Sequence, residues 1–359
     1  MAHRQIAFPR LGWKVMLLMV LAVLCVVVTG AEAAARNSNY RYLLGSSSFL
    51  PRYHTQVSAT HYDIRPDYPP TPVHFPEGDF EAWSNSMGCF DSPVDLATTT
   101  PYAYLTGGSF TWGKVALEKS WGAVLENSLA TRVLKCGVNG YGTRDEFLKT
   151  ERDLASLHSP ELVVVEYFAS DPLMDQREFG GVAQGECSSF IAHLSCVLQD
   201  NWLAQHSVLY SMFLGIVRDE LRSLSQYAVS DDIYRAHLNN VDELVRFAES
   251  KGSEILFVFI PKESHLAKQS TTVYDRTREH LKSAGVPYID LAERMRPVHD
   301  EGARLYWRFD SQWNGEGNRL AGLLVAEHVL SNNLVDIPGK EERLARVREE
   351  IAAFTAAPE

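Results

Sequence analysis

An apolar run from Tyr102 to Leu105 that breaks at Gly107-Gly108 and resumes at Ser109 constrains this chain more than any other stretch. The run reads as a buried strand. Two glycines let the backbone turn sharply with little steric penalty, and a helical pattern through Leu117, Trp121 and Leu125 follows. A strand, a tight turn and a helix hold the residue after the glycines at the strand's carboxyl end, near a helix N-terminus. Ser109 is therefore placed like a nucleophile. The plainer alternative is a turn whose serine caps the next helix.

The other segments fall around this one. Arg4, Arg10 and Lys14 precede an uninterrupted apolar run from Val15 to Val28 and the small-residue stretch Gly30-Ala31-Glu32-Ala33-Ala34-Ala35. That order is a secretory signal over residues 1–35, cut after Ala33 or Ala35, or the same segment kept as an anchor. Of 34 basic and 45 acidic residues, three basic and one acidic lie in this stretch, so the body carries 31 against 44, a net of −13. Such a balance disfavours polyanions, and no basic patch for nucleic acid is present.

Four cysteines remain in the body: Cys89, Cys136, Cys187 and Cys196. They lack the close paired spacing of a zinc site, so no metal and no cofactor is expected. An oxidising compartment would allow two disulfides. Cys187 with Cys196 is the local choice among three connectivities, four buried thiols being the alternative.

Residues 36–98 are rich in Tyr, Ser and Pro, with Arg65-Pro66-Asp67-Tyr68-Pro69-Pro70-Thr71-Pro72 at the centre. Prolines at this density oppose helix and central strand, so the segment reads as an extended arm lying on the domain through its aromatic residues. Strands are expected at 102–105, 132–136, 161–168, 255–260 and 288–291. Helices are expected at 144–157, 207–224, 232–250, 272–283 and 315–330, with an insertion over 173–206 and a charged terminal helix within 333–359. Alternating strands and helices argue an α/β fold: an open, mainly parallel five-stranded sheet with helices on both faces, over residues 99–332. Loops after the strands of such a sheet gather at one edge, where ligands bind. Ser109, Gly140, Ser170 with Asp171, Lys262 to His265, and Asp310 with Gln312 are expected to follow strands and converge there.

Four segments stand in order: Gly107-Gly108-Ser109-Phe110-Thr111-Trp112-Gly113; Gly137-Val138-Asn139-Gly140-Tyr141-Gly142-Thr143; Val163-Val164-Val165-Glu166-Tyr167-Phe168-Ala169-Ser170-Asp171; and Asp310-Ser311-Gln312-Trp313-Asn314-Gly315-Glu316-Gly317-Asn318. This series resembles the four blocks of the SGNH (GDSL-type) hydrolase superfamily, whose fold is flavodoxin-like. The Phe-Ile-Pro-Lys-Glu and Asp-x-x-Trp-Asn segments look most like the branch of exported polysaccharide O-acetyltransferases and carbohydrate esterases. The resemblance places the nucleophile on Ser109. It places the oxyanion hole on the amides of Ser109 and Gly140 with the side chain of Ser170, and the acid and base on Asp310 and Gln312. Asp171, Lys262 and Trp313 fall where substrate would be held.

Three departures matter. Gly108 replaces the family's Asp, which supports the turn without touching substrate. Ser170 replaces Asn and shortens a donor; losing one oxyanion donor costs about 10² to 10³ in rate. Gln312 replaces His, and an amide has no proton-accepting nitrogen to act as general base. His265, or a desolvated Lys262, would have to substitute; an exposed loop histidine is the plain alternative. Asp171 and Asp310 have a second role open to them as helix caps, and Glu166 reads as an edge-facing or paired carboxylate. Two functional expectations follow. One is a serine esterase or O-acyltransferase scaffold for acylated carbohydrate or small esters, with an impaired triad. The other is an inactive glycan-binding or assembly protein of an envelope or exopolysaccharide system, with membrane-tethered assembly partners.

Overall fold

The computed structural model describes residues 13–38, 53–75, 78–94, 101–179, 207–210, 212–213, 230–267, 274–308 and 310–356. The chain divides into two units: Met1–Phe49 with Ile191–Gln226, and Leu50–Phe190 with Tyr227–Glu359.

The first unit contains α1 (Trp13–Arg36), a 24-residue helix long and apolar enough to cross a membrane by length and composition. Its apolar side chains are exposed from Val15 to Val28. Near its end, Glu32 accepts hydrogen bonds from the Ser207 hydroxyl and from the amides of Val208 and Leu209 at 2.8–3.1 Å.

The second unit is built on one five-stranded parallel sheet: β5 (Tyr102–Thr106), β6 (Arg132–Lys135), β7 (Leu162–Tyr167), β8 (Glu254–Phe259) and β9 (Tyr288–Asp290), ordered β6-β5-β7-β8-β9. β5 and β7 are buried along their whole length, because helices cover both faces. The two-residue period sorts the side chains. Ala103, Leu105, Leu162, Val164, Leu256 and Val258 face one core, closed by α3 (Trp121–Leu129), α9 (Leu291–Asp300), α10 (Gly315–Ser331) and α11 (Lys340–Ala356). Tyr104, Val163, Val165, Tyr167, Phe257 and Phe259 face the other, closed by α4 (Thr143–Leu154), α6 (Asp231–Ser250) and α8 (Asp275–Ala284).

All five expected strands are present, and the fold is the expected one. The helix after Ser109 is not continuous. A single turn, α2 (Ser109–Trp112), ends at Gly113, and α3 starts afresh after a 3₁₀ turn at Leu117–Lys119, capped by the Ser120 hydroxyl on the Ala123 amide. α9 lies outside the expected helices; Pro297 inside it breaks the sequence pattern. Two short helices, α5 (Asp171–Phe179) and α7 (Glu263–Ala267), follow β7 and β8.

The Pro-rich arm holds two hairpins, β1 (His54–Val57) with β2 (His61–Ile64) and β3 (Thr71–Phe75) with β4 (Gly78–Ala82). Pro72 sits in a two-stranded sheet, where every strand is an edge and its missing amide N–H is tolerated. The arm also carries charge into the domain. Asp63 and Asp153 face the fully buried Lys149 ammonium at 3.2 and 3.4 Å, and Asp91 pairs with Lys135 at 3.1 Å and Arg132 at 2.8 Å. Cys89 is disulfide-bonded to Cys136, at the end of β6. This pairing leaves Cys187 and Cys196 to each other, but both lie outside the described residues, as do most of the 173–206 insertion and of the 207–224 helix.

Candidate functional site

The turn after β5 is shaped by a carboxylate beneath it. Glu166, next to last in the central strand β7, lies 2% exposed under Gly107 and Gly108 and accepts the amides of Thr111 at 2.6 Å and Phe110 at 3.4 Å. A Cβ on Gly107 would stand 2.4 Å from the Glu166 Cβ and the Thr111 Oγ1, so only glycine fits. At Gly108 a Cβ would stand 3.4 Å from the Glu166 Oε1 and from the Tyr141 carbonyl oxygen, an ordinary contact distance. Glu166 is thus a buried carboxylate held by amides, in the centre of the sheet rather than at its edge.

Burial pushes the Glu166 carboxyl up to about 7, against the opposing hydrogen bonds from Thr111, Phe110 and Gly108. Burial likewise raises Glu146 and Asp171, with Asp171 and Glu166 adding to the rise at Glu146. An acid raised above its ordinary value of 4.5 contributes stability that is full below pH 4.5 and is lost as pH rises through 7. Unfolding free energies at pH 5 and pH 8 should therefore differ more in the native chain than in Glu166→Gln, by roughly 3 kcal/mol. Equal differences in the two proteins would show that Glu166 does not titrate in this window.

Ser109 opens α2, partly exposed, and its hydroxyl caps no helix; the capping role belongs to Ser120. The Ser109 Oγ instead accepts a hydrogen bond from Gln312 Nε2 at 2.8 Å across 203 residues of sequence. Gln312 is 9% exposed, and its Oε1 is buried with no partner. Its backbone amide donates to Asp310 Oδ1 at 3.0 Å, while Asp310 Oδ2 takes the Lys114 ammonium at 2.5 Å. The expected convergence of Ser109, Gln312 and Asp310 is present, but Asp310 and Gln312 follow no sheet strand. They sit in the loop between α9 and α10, pinned by the Tyr306–Trp313 bridge and by the Trp307 amide on the Gln312 carbonyl at 3.0 Å.

Gly140 and Ser170 follow β6 and β7, the two neighbours of β5. The Val138 amide on the Gly107 carbonyl at 2.9 Å locks the Gly140 loop to the nucleophile turn. Gly140 has φ +84°, and a Cβ on it would lie 2.6 Å from the Tyr62 hydroxyl, so glycine is required twice over. The Ser109 and Gly140 amides donate to no backbone carbonyl among the described residues. The arm supports both loops: Tyr62 donates to the Asn139 carbonyl at 2.7 Å, Tyr141 to the Tyr62 carbonyl at 2.6 Å, and Trp112 Nε1 to the Tyr53 hydroxyl at 2.8 Å. The Ser170 carbonyl receives the Leu173 and Met174 amides, so Ser170 stands immediately before α5.

His265 does not bond to Ser109. Its Nδ1 accepts the Lys262 amide at 3.3 Å, its ring edges onto Tyr274, and burial together with the Lys262 charge lowers its pKa. Lys262 lies 5.3 Å from the Phe168 ring centre. Asp171 is 2% exposed and accepts the Phe168 amide at 2.8 Å, and Trp313 is 1% exposed, edge-on to Phe110 at 4.8 Å. Both are part of the wall behind the site, not of its open face. Sequence reasoning missed Lys114, whose signal was its place five residues after Ser109, and the aromatic supports Tyr53 and Tyr62.

Residues 224–352 match the family model described as SGNH hydrolase-like domain, acetyltransferase AlgX. No curated protein matches this chain. Solved structures similar to it include a member of the lipolytic protein G-D-S-L family from Veillonella parvula DSM 2008, 12% identical, covering 62% of this chain and 93% of that one, TM-score 0.38. A catalytic mutant of an acetylxylan esterase from Geobacillus stearothermophilus is 12% identical, covering 65% and 96%, TM-score 0.39. Residues 224–352 are thus similar to the SGNH hydrolase-like domain of the acetyltransferase AlgX family, and they supply β8 and β9 of the five-stranded parallel sheet.

Proposed function

We propose that this chain is an exported SGNH hydrolase-like protein, a serine esterase or O-acyltransferase scaffold for acylated carbohydrate, whose proton relay is impaired. One observation carries the reading: the partner of the Ser109 hydroxyl is the Gln312 amide and not an imidazole. A serine attacks an acyl carbon efficiently only when a neighbouring base takes its proton. Here the Gln312 amide donates to the Ser109 oxygen, drawing on the lone pair that would attack. The remaining groups suit an acyl oxygen: the Ser109 and Gly140 amides, with the Ser170 hydroxyl as a shorter donor. The second reading, a catalytically inactive glycan-binding or assembly protein, is favoured by that same donation, which leaves the Ser109 hydroxyl proton free to bond a ligand.

The native chain should hydrolyse an activated acetyl ester at a rate within about tenfold of Ser109→Ala, since triad variants retain roughly 10³ to 10⁴ over water through oxyanion and binding effects. It should still retain acetylated glycan oligomers in an affinity assay. High turnover that is lost both in Ser109→Ala and in His265→Ala would mean a relocated base and an intact enzyme.

Export is supported by α1 and by the Cys89–Cys136 disulfide, since such bonds persist in oxidising compartments. Cleavage after Ala33 or Ala35 would remove Glu32 and its three hydrogen bonds to residues 207–209. Mass spectrometry of the membrane fraction should therefore find a chain that retains residues 13–36. A mature N-terminus at Ala34 or Arg36 would mark a cleaved signal instead.

A further inference from the structure

Asp310 is the residue that would orient a histidine at position 312, yet both of its oxygens are engaged elsewhere. Oδ1 holds the Gln312 backbone amide at 3.0 Å and Oδ2 holds the Lys114 ammonium at 2.5 Å. Lys114 comes from the segment just after α2, so the pair joins the nucleophile's own loop to the loop that carries Gln312. The two side chains are 19% and 18% exposed, sheltered enough for their attraction to exceed that of an open surface pair. Gln312 is then held with its amide on Ser109.

We infer that Lys114 is a positioning residue: it neutralises Asp310 and turns the Asp-x-Gln segment into a clamp on the Ser109 hydroxyl. This inference rests on the proposed scaffold reading, in which Asp310 and Gln312 occupy the acid and base positions. In a working relay the carboxylate accepts the imidazole N–H, fixes its tautomer and stabilises the imidazolium. An ammonium already on that carboxylate opposes each of these effects, by occupying an acceptor and by repelling the positive charge that the base must acquire. The Ser109 hydroxyl, accepting from a fixed amide, becomes a donor toward the carbonyl or ether oxygen of a bound ligand.

The test places Gln312→His in three settings: with native Lys114, with Lys114→Met and with Lys114→Arg. The titration of the introduced imidazole is followed by NMR of ¹⁵N-histidine-labelled full chain, subtracting the native spectrum. Removing the ammonium should raise the imidazole midpoint by about one pH unit, and Lys114→Arg should leave it where native Lys114 does. Ser109-dependent ester hydrolysis should rise about tenfold in the Lys114→Met setting, with its pH midpoint moving by the same unit. Lys114→Gln, neutral and able to bond Asp310, serves where the methionine fails to fold and should shift the midpoint in the same direction. Equal midpoints across the charged and neutral side chains would overturn the inference. The midpoint is read without catalysis, so an imidazole that shifts as expected but gives no hydrolysis in any setting would sink the scaffold reading and leave the role of Lys114 standing.

Discussion

Gln312→His should raise Ser109-dependent hydrolysis of an activated acetyl ester by at least about 10² over the native chain, because general-base assistance is worth roughly 10² to 10⁴. The geometry is already in place. Gln312 Nε2 lies 2.8 Å from the Ser109 Oγ, and an imidazole of similar reach would set a basic nitrogen at nearly the same point. The loop beneath it is fixed by the Asp310 carboxylate on the 312 amide, by the Tyr306–Trp313 bridge and by Trp313 packed against Phe110. None of these contacts uses the side chain being replaced. Ser109→Ala in the same background should abolish the gain, and Ser170→Asn should add to it by lengthening an oxyanion donor. Steady-state kinetics with the fold verified by circular dichroism decides the matter. If the histidine variant folds and stays at the native rate, the site has drifted beyond a missing base, and the glycan-binding reading takes the lead.

The second large effect concerns the Cys89–Cys136 disulfide. It closes a loop of 47 residues, which in the chain-entropy account corresponds to about 4 kcal/mol of stability. Both sulfurs are fully buried, so the paired variant Cys89→Ala with Cys136→Ala tests it more cleanly than a reductant. Urea denaturation should show a loss of roughly 3 to 5 kcal/mol, the alanines adding a small packing defect. Its local consequence reaches the site: Cys136 immediately precedes the Gly137–Thr143 loop that carries Gly140. Ligand binding should therefore weaken in conditions where the variant remains folded. A loss under about 1 kcal/mol would mean that the Asp91, Arg132 and Lys135 pairs hold the arm to β6 without the bridge.

Those ion pairs show where sequence reasoning falls short. Nothing in the sequence around Asp63, Asp91 and Lys149 marks them as buried, and the proline-rich segment reads as an extended arm. In three dimensions Asp63 and Asp91 enter the domain to meet Lys149 and Lys135, and the arm forms two hairpins. A buried charge is tolerated only beside its partner, and no local pattern reveals a partner some 40 to 90 residues away. The cysteines illustrate the same limit. Spacing in sequence offered no reason to pair Cys89 with Cys136, 47 residues apart, and the fold brings them together between the arm and the end of β6, a pairing compatible with Cys187 to Cys196. Pro297 hid α9 for a related reason: packing of Leu291, Met295 and Val298 on the sheet outweighs one lost backbone hydrogen bond.

By itself the sequence determined the strand order along the chain, the turn that presents Ser109 and the identity of the residue facing it. Apolar runs with glycine breaks are local signals, and burial on both faces of a parallel sheet leaves few other ways to use them. It also marked Gln312 as the departure that matters, since what an amide lacks is a property of the side chain alone. Only the tertiary structure decided which groups engage one another. It put the Gln312 amide on the Ser109 oxygen, Lys114 on Asp310, Glu166 beneath the glycine turn, and Asp171 and Trp313 behind the site. The physical reason is range: backbone preference acts over a few residues, whereas hydrogen bonds and ion pairs join whatever the sheet edge brings within about 3 Å, here across as many as 203 residues.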